Sequence, residues 1–570
     1  MQKFIGRFNK QCENAWFCLT LILLICTLTV ILPIAAGGLR ATTDLPVHLA
    51  FAQAFKTAIP GGDLFPGWAN DNFGYGSVGI RFYPPLTAYC TVFVEMITGN
   101  WYFAFWINLF GWMVLGCHGV YLFVREWATP VQAALAGMFY SLAPYHLAEI
   151  YRFFLYAEFA AAAILPFCFL YITRICRERN WAAVVPFAAS YSLVVLAHIP
   201  TAIILTLCLL VYTAILVEWR HSRRVALQLL SSAALAVLAT GFFFVRIVTE
   251  LQWVAHADAR YSTGAYSYSH FLFPNVSAVD DLPVWVSILR HLDVMIVLTT
   301  MLLVPFCAVL ITRRKWSDIL AAPVALAISG TAVCALFMLS KPSDFIWSRF
   351  GMLQKIQFPW RWLSVLSMLA VVSFVLALPQ FFKSTRVLER MVVYGGIFLI
   401  VLITAYDVRQ IVTSSPRLSK SAFKQRVEDR LQSGPGQEQW WPIWANARAF
   451  DIREPVIADG RTVEIRDWQS ESRNFTVGEG VTTNLRVATF FYPYWRASVN
   501  GRTVEVSKDE HGAIMIPLNE ERLEVELHFE EPFLHIAALW ISMVTWLVFL
   551  SLLCRHFIRN LMRKTETSVG

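Results

Sequence analysis

Charged residues are scarce in this sequence. Asp, Glu, Lys and Arg supply 15% of its 570 residues, where soluble domains carry roughly 25%. Alongside 57% hydrophobic residues, this shortage excludes an ordinary water-soluble globule and calls for lipid to cover the apolar excess. A disulfide framework is also missing. Cysteine occurs eleven times, but never in the polar stretch 412–531 and never as Cys-x-x-Cys, so neither redox chemistry nor a cysteine zinc site is indicated. No GxxxxGK[ST], HExxH or GxSxG constellation is present, which argues against ATP-driven transport, zinc peptidases and common serine hydrolases. Nor are the basic residues, net +8 at pH 7, gathered on one soluble face as nucleic-acid binding requires. They form short clusters at the ends of apolar runs, as cytoplasmic anchors do.

What is abundant is apolar length. Runs of the roughly 20 residues needed to cross a bilayer recur from Trp16 to Cys554. The first, about 17–36, follows Lys3, Arg7 and Lys10 and is long for a signal peptide, so it is expected to remain as the first helix. Further basic clusters fall at Arg174/Arg177/Arg179, Arg220/Arg223/Arg224, Arg313/Arg314/Lys315, Lys383/Arg386/Arg390 and Arg555/Arg559/Arg563/Lys564. Placing all of them in the cytoplasm predicts twelve spans, near 16–36, 101–124, 130–145, 157–173, 181–197, 201–218, 225–248, 294–312, 317–340, 361–381, 391–411 and 533–554. The short stretch 84–98, which opens on Pro84-Pro85 and carries Glu95, must then lie along the outer interface. Both termini are cytoplasmic in this arrangement. The outer loops are 37–100, 146–156, 198–200, 249–293, 341–360 and 412–531, and the unusual polar residues fall in or beside them.

The expected fold is an α-helical polytopic membrane protein of about twelve spans with a C-terminal extracytoplasmic β-sandwich. Residues 1–411 form the membrane domain with its outer loop 37–100, 412–531 the β-rich domain, and 532–570 a last span with a basic tail. The β reading rests on period-two alternation at 462–466, 484–490 and 522–529. Asn500-Gly501 is a two-residue hairpin signal, because a type I′ turn needs positive φ at both central residues. The indole-rich segment Gln439–Trp444 has two readings, domain core or interfacial belt on one side and a sugar-stacking platform on the other.

Asp44 and His48 lie just beyond the first span. On a helix they share a face, where a carboxylate and an imidazole serve general-base work or hold a divalent metal. Equally, Asp44 before Leu45-Pro46 is good helix-capping chemistry. In the second outer loop Glu149 and Arg152 are i, i+3 and Arg152 and Tyr156 are i, i+4, with Glu158 just beyond. There an internal Arg152–Glu149 pair competes with Arg152 holding a phosphate by its forked guanidinium. Arg361, in Gln357–Arg361, is a second phosphate candidate, with snorkelling as its alternative. Tyr151, His198, Glu250, His256 and Trp360 are candidates for lining a substrate path.

The motifs Asp44-Leu45-Pro46-Val47-His48, Gly74-Tyr75-Gly76 and Phe82-Tyr83-Pro84-Pro85-Leu86, with Ser141, Pro144, Tyr145, Arg152 and Glu158 and the segment Gln357–Arg361, resemble the GT-C superfamily of membrane glycosyltransferases. Within it they are most similar to bacterial membrane proteins misleadingly labelled 6-pyruvoyl-tetrahydropterin-synthase-related. The resemblance spans most of the chain. It implies a bacterial cytoplasmic-membrane enzyme that moves a sugar from a polyprenyl-phosphate donor to a glycan, lipid or protein acceptor at the outer face. It implies Asp44 as general base or substrate-orienting residue and Glu158 as the second-loop acid; from their own chemistry His48 joins Asp44, and Arg152 and Arg361 are the donor-phosphate candidates. Asp44, His48 and Glu158 would be the ligands of any divalent metal, Mg or Mn, although the missing Asp-x-Asp pair puts metal dependence in doubt. Transport of a lipid intermediate and a non-catalytic role in cell-surface polysaccharide assembly are the rival readings. Fold resemblance alone does not establish function.

Overall fold

In the computed structural model, the apolar runs become helices and the alternating segments become strands. The structure describes residues 15–40, 44–59, 64–258, 267–273, 283–312, 322–382, 416–431 and 438–569, with scattered positions in 391–413. Among these, eight helices are long and apolar enough to cross a membrane: Trp16–Gly37, Trp101–Arg125, Tyr156–Glu178, Ile199–Leu216, Ser222–Trp253, Ile288–Cys307, Pro359–Leu378 and Phe533–Arg555. Each coincides with an expected span, and the chain is a multi-pass membrane protein. Trp181–Ala197 and Pro323–Leu339 match two more but are shorter. The segment 130–145 differs from expectation. Its helix, Pro130–Ser141, has 12 residues, a length of only ~18 Å. It stops before Pro144, which starts a separate turn, Pro144–Ala148. The expected span 391–411 and the basic clusters at 3–10, 313–315 and 383–390 lie largely or wholly outside the described residues.

The helix Leu86–Thr98 has 13 residues, too few to cross a core of about 30 Å. It buries Thr91, Val92 and Glu95 and exposes Phe93, Met96 and Ile97. Glu95 is ion-paired with Lys56 at 2.5 Å, which accounts for a buried carboxylate on an apolar helix.

A two-residue ribbon, β1 (Leu39–Arg40) against β2 (Arg417–Leu418), ties the C-terminal end of the first helix to the chain leading into the β-domain. After it, the helix Lys420–Leu431 packs back on the membrane domain through Phe423 and Val427. The β-domain proper contains two antiparallel sheets. One has the order β3-β6-β10-β9, from Val456–Ile457, Asn484–Phe490, Ala513–Pro517 and Ser507–Lys508. The other has the order β4-β5-β11-β7-β8, from Val463–Trp468, Ser472–Val477, Leu523–Phe529, Trp495–Val499 and Arg502–Val504. Strand β11 alternates strictly. Leu523, Val525, Leu527 and Phe529 are buried, and Glu524, Glu526 and His528 are exposed, as a sheet with one face on a core requires. Asn500 and Gly501 have φ of 49° and 74° and join β7 to β8 in register Val499↔Arg502, the turn that the sequence signal demands.

The first outer loop is built into this β-domain. Trp68 and Tyr75 are fully buried in one core with Phe490, Tyr492, Trp495 and Phe529. The Phe490 amide donates to the Tyr75 carbonyl at 2.7 Å. Only glycine fits at position 76, where φ is +78° and a Cβ would stand 2.0 Å from the Trp68 indole nitrogen. The run Gly74–Gly79 has a GxGxxG spacing, but no strand opens it and no parallel βαβ unit contains it, so it is not a dinucleotide turn. Trp440 and Trp441 are buried in the same core. His256 stacks on Trp440 at 4.8 Å and Gly79 sits against its Cβ and Cγ, so this indole is joint packing and not an open platform.

Candidate active site

Asp44 precedes the helix Leu45–Ala58. Its main-chain carbonyl accepts from the amides of Val47 and His48 at 3.0 and 3.1 Å, but its carboxylate makes no capping bond. The chemistry of the side chain is therefore not absorbed by the helix start. His48, one turn along, is 5% exposed. It sits among aromatic rings, with Tyr156, Tyr83 and Phe154 at centroid distances of 5.5, 5.9 and 6.3 Å. Burial pushes its pKa down to about 3, so the imidazole is neutral at physiological pH.

Tyr83 joins this corner to the rest of the site. It ends the one-turn helix Gly79–Phe82, where the following Pro84-Pro85 forces an extended backbone, and it stacks on Phe51 at 4.4 Å. Burial raises its pKa, and the charges acting on it are, in order, Asp44, Arg361 and Glu158. The phenol thus stands in the common field of the three charged residues that the sequence singles out.

Glu158 and Arg361 meet directly. Glu158 opens the span Tyr156–Glu178 and is 1% exposed. It accepts from the Tyr145 hydroxyl at 2.6 Å and the Ser364 hydroxyl at 3.1 Å, and the Arg361 Nε lies 3.2 Å from it. Arg361 also donates from Nη1 to the Ile356 carbonyl at 2.7 Å. Its Nη2 is engaged by no described residue, and its side chain keeps 13% exposure. His198 lies at the start of the helix Ile199–Leu216, with Nδ1 2.8 Å from the Thr201 hydroxyl. It is within the field of both Arg361 and His48.

Other expected site residues are placed elsewhere. Tyr151 is 2% exposed and donates to the Thr29 carbonyl at 2.5 Å, which fixes it against the first span and off any open path. Glu149 pairs with His146 at 2.7 Å and not with Arg152. Residues Glu149–Phe153 form a π-turn, so the i, i+3 geometry of an α-helix does not hold there. Burial pushes His146 down to about 3 and Glu149 upward. Arg152 lies in that turn, its guanidinium 6.0 Å from the Phe153 ring; the ion-pair partner of Glu158 is Arg361. Glu250 is not on an acceptor path: it is fully buried and bonded to Arg81 and Tyr492. Trp360 is 5% exposed and stacks on Phe358 at 4.3 Å. His256 is half-buried on Trp440, and burial and the Lys355 cation lower its pKa. Asp44, His48 and Glu158 are not gathered as metal ligands, and no group of three or more His, Cys, Asp or Glu among the described residues is placed to hold an ion.

The sequence reading missed Tyr83, Tyr145 and Ser364 as site residues. Tyr83 and Tyr145 stand inside motifs already noted, Phe82–Leu86 and Ser141–Tyr145. A polar aromatic beside a proline at an outer helix junction was the available signal. Ser364 carried none.

The sequence matches no protein-family profile and no curated protein. Among solved structures it is similar to the arabinofuranosyltransferase AftD from Mycobacteria, at 12% identity and a TM-score of 0.42 over 72% of this chain. The chain spans only 27% of the length of that protein. It is also similar to ArnT from Cupriavidus metallidurans bound to undecaprenyl phosphate, at 13% identity and a TM-score of 0.37, covering 73% of this chain and 75% of that one. Against the Archaeoglobus fulgidus oligosaccharyltransferase the values are 14% and 0.38, over 77% of this chain and 57% of that one.

Proposed function

We propose that this protein is a membrane glycosyltransferase of the GT-C kind, transferring a sugar from a polyprenyl-phosphate donor to a glycan, lipid or protein acceptor at the outer face of the cytoplasmic membrane. One observation carries the reading: Asp44, Tyr83, Glu158 and Arg361 share one electrostatic site beside the outer ends of the spans. The Asp44 carboxylate is not used as a helix cap, and one nitrogen of the Arg361 fork is not engaged by any described residue. The nearer likeness to the group labelled 6-pyruvoyl-tetrahydropterin-synthase-related rests on the sequence motifs.

The roles follow from the chemistry. Arg361, oriented by Glu158 and by the Ile356 carbonyl, neutralises the donor phosphate in a site of low dielectric. Asp44 takes the proton from an acceptor hydroxyl. The acceptor oxygen bonds to the anomeric carbon as the bond from that carbon to the phosphate oxygen breaks. Polyprenyl phosphate leaves, and the anomeric configuration inverts. Tyr83 stays protonated and donates to the departing phosphate. Buried and neutral, His48 shapes the wall and does not compete as base.

The test is transfer from a panel of radiolabelled polyprenyl-phosphate sugars to a membrane extract by the purified protein in bilayers. Product should form with at least one donor. Asp44→Asn should lose roughly 10²–10⁴-fold in rate while keeping its thermal stability. A folded wild type that transfers nothing from any donor would return the weight to transport or assembly.

A further inference from the structure

A second group of charges lies between the membrane domain and the β-domain, and the mechanism above does not use it. Arg81 is fully buried. Its Nε and Nη2 donate to the two carboxylate oxygens of Glu250 at 2.8 and 2.7 Å. Its Nη1 and Nη2 also reach Glu531, the latter at 3.2 Å. Arg246 binds the other side of Glu531 at 2.8 Å and donates to the carbonyls of Phe65 and Pro66 at 3.0 and 3.2 Å. His535 Nδ1 lies 3.0 Å from Glu531 and 3.3 Å from Glu250, and the Tyr492 hydroxyl donates to Glu250 at 2.6 Å. Two guanidinium groups and two carboxylates meet here, with the imidazole beside them. The elements joined are the first outer loop, the end of the helix Ser222–Glu250, the β-domain and the start of the last helix. Gly67 admits the junction, since a Cβ there would stand 2.5 Å from both Arg81 and Glu531.

Arg81 is two residues from Tyr83 on the same single turn. The Arg81 amide donates to the Val78 carbonyl and the Tyr83 amide to the Gly79 carbonyl, both at 3.0 Å. The Val78 amide is held by the Trp440 carbonyl of the β-domain side at 3.3 Å. Beyond Tyr83, Pro84-Pro85 removes the slack that would let the ring shift independently of the turn. A turn this short, pinned by the guanidinium on one side and prolines on the other, moves as one body.

We propose that the Arg81–Glu250–Glu531 clamp positions Tyr83, so that the β-domain and the last helix set the geometry of the transfer site. Arg81 is a positioning residue and touches no reacting atom. The substrate side of this inference rests on the function proposed above; the link between clamp and ring does not. In transfer chemistry, misplacing a group by about 1 Å costs on the order of 10²-fold, so a small rotation of the turn is enough to matter.

The experiment places 3-fluorotyrosine at position 83 of the full-length protein in lipid nanodiscs and reads the fluorine resonance beside the melting temperature. Asp44→Asn first confirms that the resonance senses the site. Glu531→Gln and Arg81→Lys should then move or broaden it. Asp509→Asn, which breaks the Arg486 pair at 2.7 Å inside the β-domain, should leave it in place. Should Arg81→Lys fail to fold, Glu531→Gln decides, because Glu250 still holds Arg81 there. An unmoved resonance in the folded clamp variants, or an equal shift in Asp509→Asn, overturns the proposal. Where a donor is found, Glu531→Gln should lower turnover on the order of 10²-fold with less change in the donor concentration giving half-maximal rate. A wild type that transfers nothing would sink the proposed function and leave the fluorine result standing.

Discussion

Two arginine–glutamate centres lie in the same protein and differ in what they leave over. At Arg81, five groups besides the guanidinium close the network, and both carboxylates are bonded on several sides. At Arg361, the cation meets Glu158 and one carbonyl, keeps partial exposure, and has a nitrogen to spare among the described contacts. The first centre has its electrostatics completed by the chain itself. The second leaves one guanidinium nitrogen without a partner among the described residues. Buried ion pairs are weak evidence for net stability, so the completeness of the hydrogen bonding, and not the presence of a pair, separates a joint from a site.

The sharpest way to break this contrast is a pair of substitutions read on two axes. Asp44→Asn should carry the largest loss of transfer, roughly 10²–10⁴-fold, with an unfolding midpoint close to wild type. Arg81→Met should differ in kind, losing stability as well as transfer. It leaves two carboxylates buried without their shared cation, which costs roughly 3–5 kcal/mol of stability, measurable by reversible unfolding titration in mixed micelles. If Arg81→Met retains wild-type stability, the Arg81 centre is not a joint.

A smaller effect separates the two tyrosines that face these centres. Tyr83→Phe removes a donor from the site, and a hydrogen bond to a charged group is worth about 1.5–3 kcal/mol, so turnover should fall roughly 10- to 100-fold with the fold intact. Tyr492→Phe removes a donor from Glu250 within the joint and should lower stability before it lowers turnover. Equal loss of turnover in both, with equal melting temperatures, would erase the distinction.

What was legible in the sequence tracks the range of the interactions. The strands around 463–468, 484–490 and 523–529 and the Asn500-Gly501 turn are set by neighbours within a few residues, and alternation and turn chemistry report them. Eight of the expected spans read well for the same reason, whereas at 130–145 the helix ends early before Pro144. Glu158 and Arg361 were both marked as unusual polar groups, but their pairing joins residues far apart in the chain and no local pattern encodes it. Glu250 was misread for the same reason. Its partners Arg81 and Tyr492 lie far from it and from each other along the chain, and a glutamate beside a helix end reads as substrate-facing until they are seen. The π-turn at Glu149–Phe153 defeated helical spacing directly.

The acid dependence of stability, at most about 1.4 kcal/mol for each pH unit, also divides between the regions. At the joint, burial opposes ionisation of Glu531, but Arg246 and Arg81 outweigh it and hold its pKa well below the ordinary 4.5. A depressed carboxylate stabilises the fold above its unfolded pKa, and that contribution declines as pH falls below about 4.5. At the site, His48 is depressed from 6.5 to about 3. Its neutral form is favoured in the fold, so its contribution is complete above about pH 6.5 and declines as pH falls toward 3. Unfolding titrations from pH 7 to 3 should therefore show His48→Phe flattening the upper part of the acid limb, by at most about 1.4 kcal/mol per pH unit. Glu531→Gln should flatten only the part below about 4.5. If both substitutions act in the same window, the acid limb does not resolve the two centres, and the neutral state assigned to His48 is wrong.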